Sequence, residues 1–356
     1  MKIRIVCYEE VDRWIIGKFA LRMEENLLKL GHEVSIAKVV DDTADINHHL
    51  IYRDYNYQTS GIQTLMVTHI DTTKKLNQLK KQLKVSPMGI CMSRETVDYL
   101  NNLGIPRERL SYVNPAHDGV IKPRKMRVGL TCRVQEDGRK RESFLGALTK
   151  YIQPEDFEFI IMGDGWDEQI DILKNAGFEV ESHQEFNYQK YNEIIPSLDY
   201  YLYMGLDEGQ MGFVDAVAAG VKTIVTTQGY HLDAPGGISY GFTSFDELAA
   251  IFQQIAAERR VLIDSVASWN WYDYTLKHVD IWNYLLAQQQ QKDYAFQTKD
   301  YRDGICSVAE FDDQQVTKSS LKAVKDYLNL FIGKLKHSHY GSKNKRKTLK
   351  AKRQSA

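Results

Sequence analysis

The amino-acid sequence predicts an α/β protein made of two doubly wound, Rossmann-like domains. Three observations lead there. Residues 2–39 read as strand, glycine-containing loop, amphipathic helix and strand, the opening of a doubly wound sheet. Residues 197–227 repeat the pattern as strand, glycine loop, small-residue helix and β-branched strand. The chain has 356 residues, 43% hydrophobic and 26% charged, which suffices for two full cores.

The elements follow in order. Lys2 to Cys7 is a first buried strand, and Gly17 lies in the loop after it. The helix that follows carries Phe19, Met23, Leu27 and Leu30 on one face, and Gly31 stops it. Glu33 to Val39 is the next strand, and a short strand spans Asp45 to Asn47. Leu65 to Thr68 is a short apolar strand ending at His69. Gly89 to Met92 is another, after which Ser93 caps a helix from Arg94 to Leu103. The stretch 105–120 closes the first half. The second half begins at Met126, with strands at Arg127–Thr131, Phe157–Met162, Ser197–Met204 and Thr223–Thr227. A four-glutamine linker is expected at Gln288–Gln291, then an amphipathic helix over Val316–Ile332 with Leu321, Val324, Leu328 and Phe331 on one side.

The most informative segment is Asp207 to Gly220, Asp-Glu-Gly-Gln-Met-Gly-Phe-Val-Asp-Ala-Val-Ala-Ala-Gly. Its loop leaves backbone N–H groups at a helix N-terminus, where a phosphate can sit. Asp207 and Asp215, eight positions apart, stand beside that anion site. Carboxylates near a phosphate are suited to binding hydroxyls, as on a sugar or ribose. Each alone is also readable as an acid favoured by the helix dipole at roughly 0.3–1 kcal/mol, which accounts for one acid but not for two framing Gly209–Gly212.

This segment resembles the signature of the retaining, two-Rossmann-domain (GT-B) glycosyltransferases of family 4. There a Glu, a glycine-rich loop and a second Glu eight positions on precede Ala-x-Ala-x-Gly and a hydrophobic strand. Here Asp occupies both acidic positions, and Glu208 beside Asp207 is an alternative first acid. The N-terminal series through Gly-His-Glu-Val, and the segment 269–287 with Ser-Trp-Asn-Trp and Ile-Trp-Asn-Tyr-Leu-Leu, resemble the same family in layout. The resemblance covers residues 1–287. It implies two Rossmann-like domains facing each other across a cleft, with a C-terminal helical extension. The expected domains are an acceptor domain at 1–123 and a donor domain at 124–287, whose last helix crosses back. A linker with an amphipathic helix at 288–335 and a basic disordered tail at 336–356 follow.

The resemblance also assigns roles. Val128 to Lys140 looks like the family's element whose Arg and Lys contact the diphosphate. Arg133 takes the first role, while Lys140 takes the second with Arg139 close behind. Gly209, Gln210, Met211 and Gly212 form the loop and helix start beneath the phosphates. Asp207 would hold hydroxyls of the donor sugar and Asp215 those of the ribose. Gly163, in Gly-Asp-Gly, would line the nucleotide side, and Gly17 would let backbone approach the ligand. His69 would touch the sugar near the reacting carbon. Plain alternatives stand beside these: a solvated basic loop, a common Gly-Asp-Gly turn, a strand-to-helix turn at Gly17 and a structural His69. His48 and His49 either touch the acceptor or pack.

The implied activity is transfer of a sugar from a nucleotide-diphosphate donor, UDP- or GDP-linked, to a hydroxyl acceptor with retention, in cell-surface or lipid-linked glycan synthesis. No cofactor is expected, and no His/Cys/Asp cluster has metal-ligand spacing. Alternatives are a nucleotide-sugar epimerase, a DNA-modifying glucosyltransferase, and a catalytically silent nucleotide-binding protein.

Composition sets the surroundings. No stretch approaches the roughly 20 apolar residues of a membrane helix, and the N-terminus enters a strand directly, so a cytoplasmic protein is expected. Cys7, Cys91, Cys132 and Cys306 show no paired spacing and read as reduced thiols. The total net charge is −1, yet nine Lys/Arg and no Asp/Glu fall within 333–356, leaving about −10 on the rest. The basic segment 334–353 suits an anionic membrane surface or nucleic acid, and serves equally as a solubilising tail.

Overall fold

A computed structural model describes residues 1–55 and 61–296. The chain divides into two compact units. Of the described residues, the first holds Met1–Pro115 and those from Trp271 onward, and the second holds Ala116–Asn270. Along the first stretch run β1 (Lys2–Val6), α1 (Ile15–Lys29), β2 (Glu33–Ala37), β3 (Ile46–His49), β4 (Ile62–Val67), α2 (Thr73–Gln82), β5 (Met88–Cys91), α3 (Arg94–Asn102) and β6 (Leu110–Tyr112). The second unit contributes β7 (Met126–Leu130), α4 (Ser143–Ala147), β8 (Phe157–Met162), α5 (Asp167–Asn175), β9 (Glu179–His183), α6 (Tyr188–Ile194), β10 (Tyr200–Tyr203), α7 (Met211–Ala218), β11 (Lys222–Thr226), β12 (Tyr240–Phe242) and α8 (Phe245–Asp264). The last helix, α9 (Trp271–Gln289), belongs to the first unit.

Each unit is a six-stranded parallel sheet with helices, the doubly wound α/β architecture expected. The first has the order β2-β1-β3-β4-β5-β6. The second has the order β12-β11-β10-β7-β8-β9, which is the 3-2-1-4-5-6 order of the dinucleotide-binding sheet when its strands are counted from β7. In the second unit the chain winds outward from β7 to β9 and then returns to the other side of β7 as β10. The switch point therefore lies between β7 and β10, paired through Tyr200–Val128 and Tyr201–Gly129.

Burial explains the strand sequences. Central strands β4, β5 and β10 are buried at every residue, as expected where helices cover both faces. The edge strands β2 and β9 carry polar or charged residues among few apolar ones and contain no fully buried position. Phe157, Phe159, Phe178 and Phe252 meet edge to face or tilted in the second core. In the first unit α9 lays Trp271 and Tyr274 against Phe19 of α1. The indole of Trp282 donates to Thr64 Oγ1 at 3.1 Å.

Several boundaries differ from expectation, each for a local reason. β10 begins at Tyr200 rather than Ser197, because Ile195–Ser197 forms a 3-10 turn with Pro196 early in it. The strand expected at 45–47 lies at 46–49 and takes in His48 and His49, both wholly buried. Gly17 sits in the first turn of α1, not in the loop before it. A Cβ there would stand 2.2 Å from the Val11 carbonyl oxygen, so the glycine lets residues 9–13 fold back on the helix. α9 runs through Gln289, two residues into the segment expected as a linker. The helix expected at 316–332, Cys306 and the basic tail lie outside the described residues. Among the described residues no helix is long and apolar enough to cross a membrane.

Candidate functional site

The second unit brings Arg139, Lys140 and Asp207 together at the carboxyl ends of β7 and β10, where open α/β sheets bind ligands at their switch point. β7 ends at Leu130 and leads into the loop carrying Thr131, Cys132 and Arg133. β10 ends at Tyr203 and leads through Gly205 to Asp207.

Two anchors pin the loop that follows β7 to the exit of β10. The Arg139 carbonyl accepts from Leu206 N–H at 2.8 Å. Arg141 takes a left-handed backbone, φ 49°, and its Nε donates to the Met204 carbonyl at 2.6 Å. Its guanidinium lies over the rings of Phe144 and Phe242 and also donates to the Thr243 carbonyl. Lys140, held between those anchors, is turned inward and buried.

Lys140 Nζ donates to Asp207 Oδ2 at 2.7 Å and to the Tyr203 hydroxyl at 2.6 Å. The Tyr203 hydroxyl donates to Asp207 Oδ1 at 2.5 Å, and Gly209 N–H reaches the same oxygen at 3.3 Å. Arg139 Nε stands 3.9 Å from Asp207 Oδ2. Burial alone would raise the Asp207 carboxyl. The hydrogen bonds from Lys140 and Tyr203, with the lysine charge, outweigh it and hold Asp207 below the ordinary carboxylate range. Burial, then the neighbouring Asp207, pushes the Tyr203 phenol up.

The start of α7 adjoins this cluster. Gln210, its N-cap, donates its backbone N–H to His231 Nε2 at 3.2 Å and its side-chain amide to the Thr131 carbonyl at 2.8 Å. His231 Nδ1 faces the Thr226 carbonyl at 3.0 Å, so that nitrogen carries the proton and Nε2 is the acceptor. The N–H groups of Met211 and Gly212 have no partner among the described residues. They are donors of the kind a helix N-terminus leaves open. Gly209 has φ 128°, and a Cβ on it would fall 2.7 Å from the Tyr230 ring. Gly212 serves packing, since its Cβ would stand 2.2 Å from the Tyr201 hydroxyl.

The other sequence candidates are distributed as follows. Asp215 lies on α7, where Tyr191 of α6 donates to its Oδ2 at 2.5 Å. Glu208 is exposed, and its carbonyl accepts from Tyr230 N–H. Arg133 is exposed with no ion pair or hydrogen-bonding side-chain partner among the described residues. Gly163, φ 144°, lets β8 exit against β7, because a Cβ would stand 2.2 Å from the Cys132 carbonyl oxygen. Gly17 and His69 belong to the first unit, where His69 is exposed in a left-handed conformation, φ 53°. His48 and His49 pack inside that unit: His48 bonds Thr64 and His49 bonds Gln63. Among the described residues no group of three or more His, Cys, Asp or Glu is arranged to hold a metal ion.

Tyr203, His231, Tyr191 and Thr131 were not singled out from sequence. Strand periodicity held a clue to one of them. Tyr201 and Tyr203 share a face of β10, and Tyr201 reaches Thr131 Oγ1 at 2.8 Å while Tyr203 reaches the ion pair.

No family model and no curated protein matches the chain. Among solved structures it is similar to AviGT4, a glycosyltransferase of avilamycin A biosynthesis, at 16% identity over 81% of this chain and 98% of that one, TM-score 0.29. It is similar to Anabaena Alr3699/HepE, solved with UDP-glucose, at 11% identity over 82% and 99%, TM-score 0.31. WaaB, a lipopolysaccharide outer core galactosyltransferase, matches at 13% identity over 81% and 100%, TM-score 0.32. At such values these likenesses add nothing to what the two sheet orders establish about the fold.

Proposed function

We propose that the protein is a glycosyltransferase that takes a sugar from a nucleoside-diphosphate donor, UDP- or GDP-linked, and delivers it to a hydroxyl acceptor with retention. The observation that carries this is the buried Lys140–Asp207 pair at 2.7 Å beside the open amides of Met211 and Gly212, at the switch point of a dinucleotide-type sheet. An ammonium, the exposed Arg133, Arg139 and a helix N-terminus together suit the charge that grows on a departing diphosphate. Asp207 is the first acid in this reading, because it is the carboxylate that the site holds in place. It would accept from donor-sugar hydroxyls. Asp215 would accept from the ribose through the oxygen that Tyr191 leaves.

The reaction proposed is a same-face displacement: the glycosidic bond to the diphosphate breaks as the acceptor oxygen bonds the anomeric carbon. The acceptor proton passes to a phosphate oxygen of the leaving group. Arg133, Lys140 and the α7 amides carry the resulting charge, and no metal is invoked. A cytoplasmic site of action, peripheral to an anionic membrane through segment 334–353, and a role in cell-surface or lipid-linked glycans belong to the same proposal.

The test is a thermal-shift panel of UDP, GDP, ADP, TDP and CMP with their sugars on wild type and Arg133→Ala. A ligand at about a hundred times its dissociation constant adds roughly 2.7 kcal/mol, a shift of several degrees. One nucleotide stabilising wild type but not the variant names the base. No shift with any of them removes the donor site and with it this function.

A further inference from the structure

We propose that Tyr203 is a positioning residue of the anion site, fixing where the Lys140 ammonium and the Asp207 carboxylate stand before a diphosphate arrives; this rests on the donor-site reading above. Donor and acceptor roles in the cluster are forced by chemistry. An ammonium only donates and a carboxylate only accepts. The Tyr203 oxygen therefore accepts from Lys140 at 2.6 Å while its proton goes to Asp207 Oδ1 at 2.5 Å. With the direct Lys140–Asp207 bond at 2.7 Å, three groups close a ring in which every hydrogen bond has one possible direction.

The ring has two consequences for a ligand. Lys140 has three N–H donors and spends two inside it, which leaves one for an incoming anion. Tyr203 and Asp207 fix the other two, so the third is aimed in advance. When a diphosphate draws the ammonium toward itself, Asp207 keeps the phenol and the Gly209 N–H, and so it stays put for a sugar hydroxyl.

A second, independent observation comes from the backbone. Gly205 sits two residues past Tyr203, and a Cβ on it would stand 2.3 Å from the Tyr203 hydroxyl oxygen. Its φ is not in the left-handed region, so backbone freedom gives no reason for glycine there. The space serves the hydroxyl. The Tyr203 ring is itself locked, edge to face on His231 at 5.6 Å and beneath Lys140 Nζ at 4.9 Å.

The experiment compares wild type with Tyr203→Phe, which removes the oxygen and keeps the ring. Without ligand, the Lys140 ammonium is observed by proton–nitrogen NMR and assigned by its loss in Lys140→Met. The expected result is a protected, sharp wild-type signal that broadens or vanishes in Tyr203→Phe. With UDP and GDP as calorimetric probes, whichever binds wild type should bind the variant about tenfold more weakly. An ammonium signal unchanged in Tyr203→Phe overturns the assignment of Tyr203, whatever the nucleotides do. A Tyr203-dependent signal in a wild type that binds neither nucleotide supports the positioning and overturns the donor-site reading instead. If Tyr203→Phe fails to fold, Gly205→Ala, which crowds the hydroxyl without removing it, is measured the same way.

Discussion

Lys140 and Asp207 lie sixty-seven residues apart in sequence, and their charged atoms meet at 2.7 Å with about a tenth of each side chain exposed. A pair that dry behaves differently from a surface ion pair. Removing one partner leaves the other charged and desolvated, at a cost of roughly 3–5 kcal/mol. Lys140→Met is therefore expected to lower stability by about that amount in urea unfolding. Lys140→Met combined with Asp207→Leu should recover most of it. A loss in the double variant equal to the sum of the losses in Lys140→Met and Asp207→Leu alone would mean that the pair is not coupled.

Arg133 gives the opposite expectation. It is exposed and joins no ion pair among the described residues, so Arg133→Ala should leave the unfolding midpoint within about 0.5 kcal/mol of wild type. Its effect should fall on nucleotide binding alone, readable by calorimetry with the nucleotide that the thermal panel identifies.

Gly212→Ala separates helix propensity from packing. Alanine in a helix interior is favoured over glycine by roughly 0.5–1 kcal/mol, and by no more than that at Gly212, the second residue of α7. Here the added methyl would stand 2.2 Å from the Tyr201 hydroxyl, inside the sheet, and 2.4 Å from Thr131 Oγ1, in the loop after β7. Overpacking of that kind costs about 1–3 kcal/mol, so a net destabilisation is expected in thermal melts. A stabilised variant would show that α7 can move off the sheet freely.

The first unit carries a titration of its own. His278 is enclosed by Tyr274, Trp282 and His48, with its Nδ1 on the Tyr274 carbonyl. Burial lowers it to about 4 from an ordinary 6.5. Burial, then the neighbouring His278, also holds His48 well below an ordinary imidazole. A folded pKa below the unfolded one means that the unfolded chain takes up protons first as pH falls. Stability is full above pH 6.5 and drops between about 6.5 and 4, by roughly 3 kcal/mol for His278 alone. Unfolding followed from pH 7 to 4 should lose much of that slope in His278→Phe. An unaltered slope would assign it to other groups.

How far sequence could lead is clearest from particular elements. Phe157–Met162 was readable to the residue, since a run of six residues, five of them apolar, meets a glycine that must turn. β9 was not anticipated: Glu-Val-Glu-Ser-His is an edge strand with charges on it, and lacks the apolar run that marks a central one. The acids at 207 and 215 were visible because a loop and helix encode them locally. The Tyr203 role was invisible because it depends on Lys140, sixty-three residues earlier, and on space left at Gly205. Gly17 is placed in the loop by sequence and in α1 by the structure for a related reason. Its constraint comes from Val11 folding over it, and sequence alone does not say which backbone comes close.

The bridge between His117 and Asn270 joins the two ends of the second unit, and α9 returns the chain to the first. Residues 116–270 are thus an insertion within a domain that starts before them and finishes after them. The first core needs Trp271, Tyr274 and Trp282, which a ribosome delivers only after the whole insertion has been made. The later-starting unit holds its complete sequence first and is free to fold ahead of its host. The N-terminal strands meanwhile wait with an apolar face still uncovered.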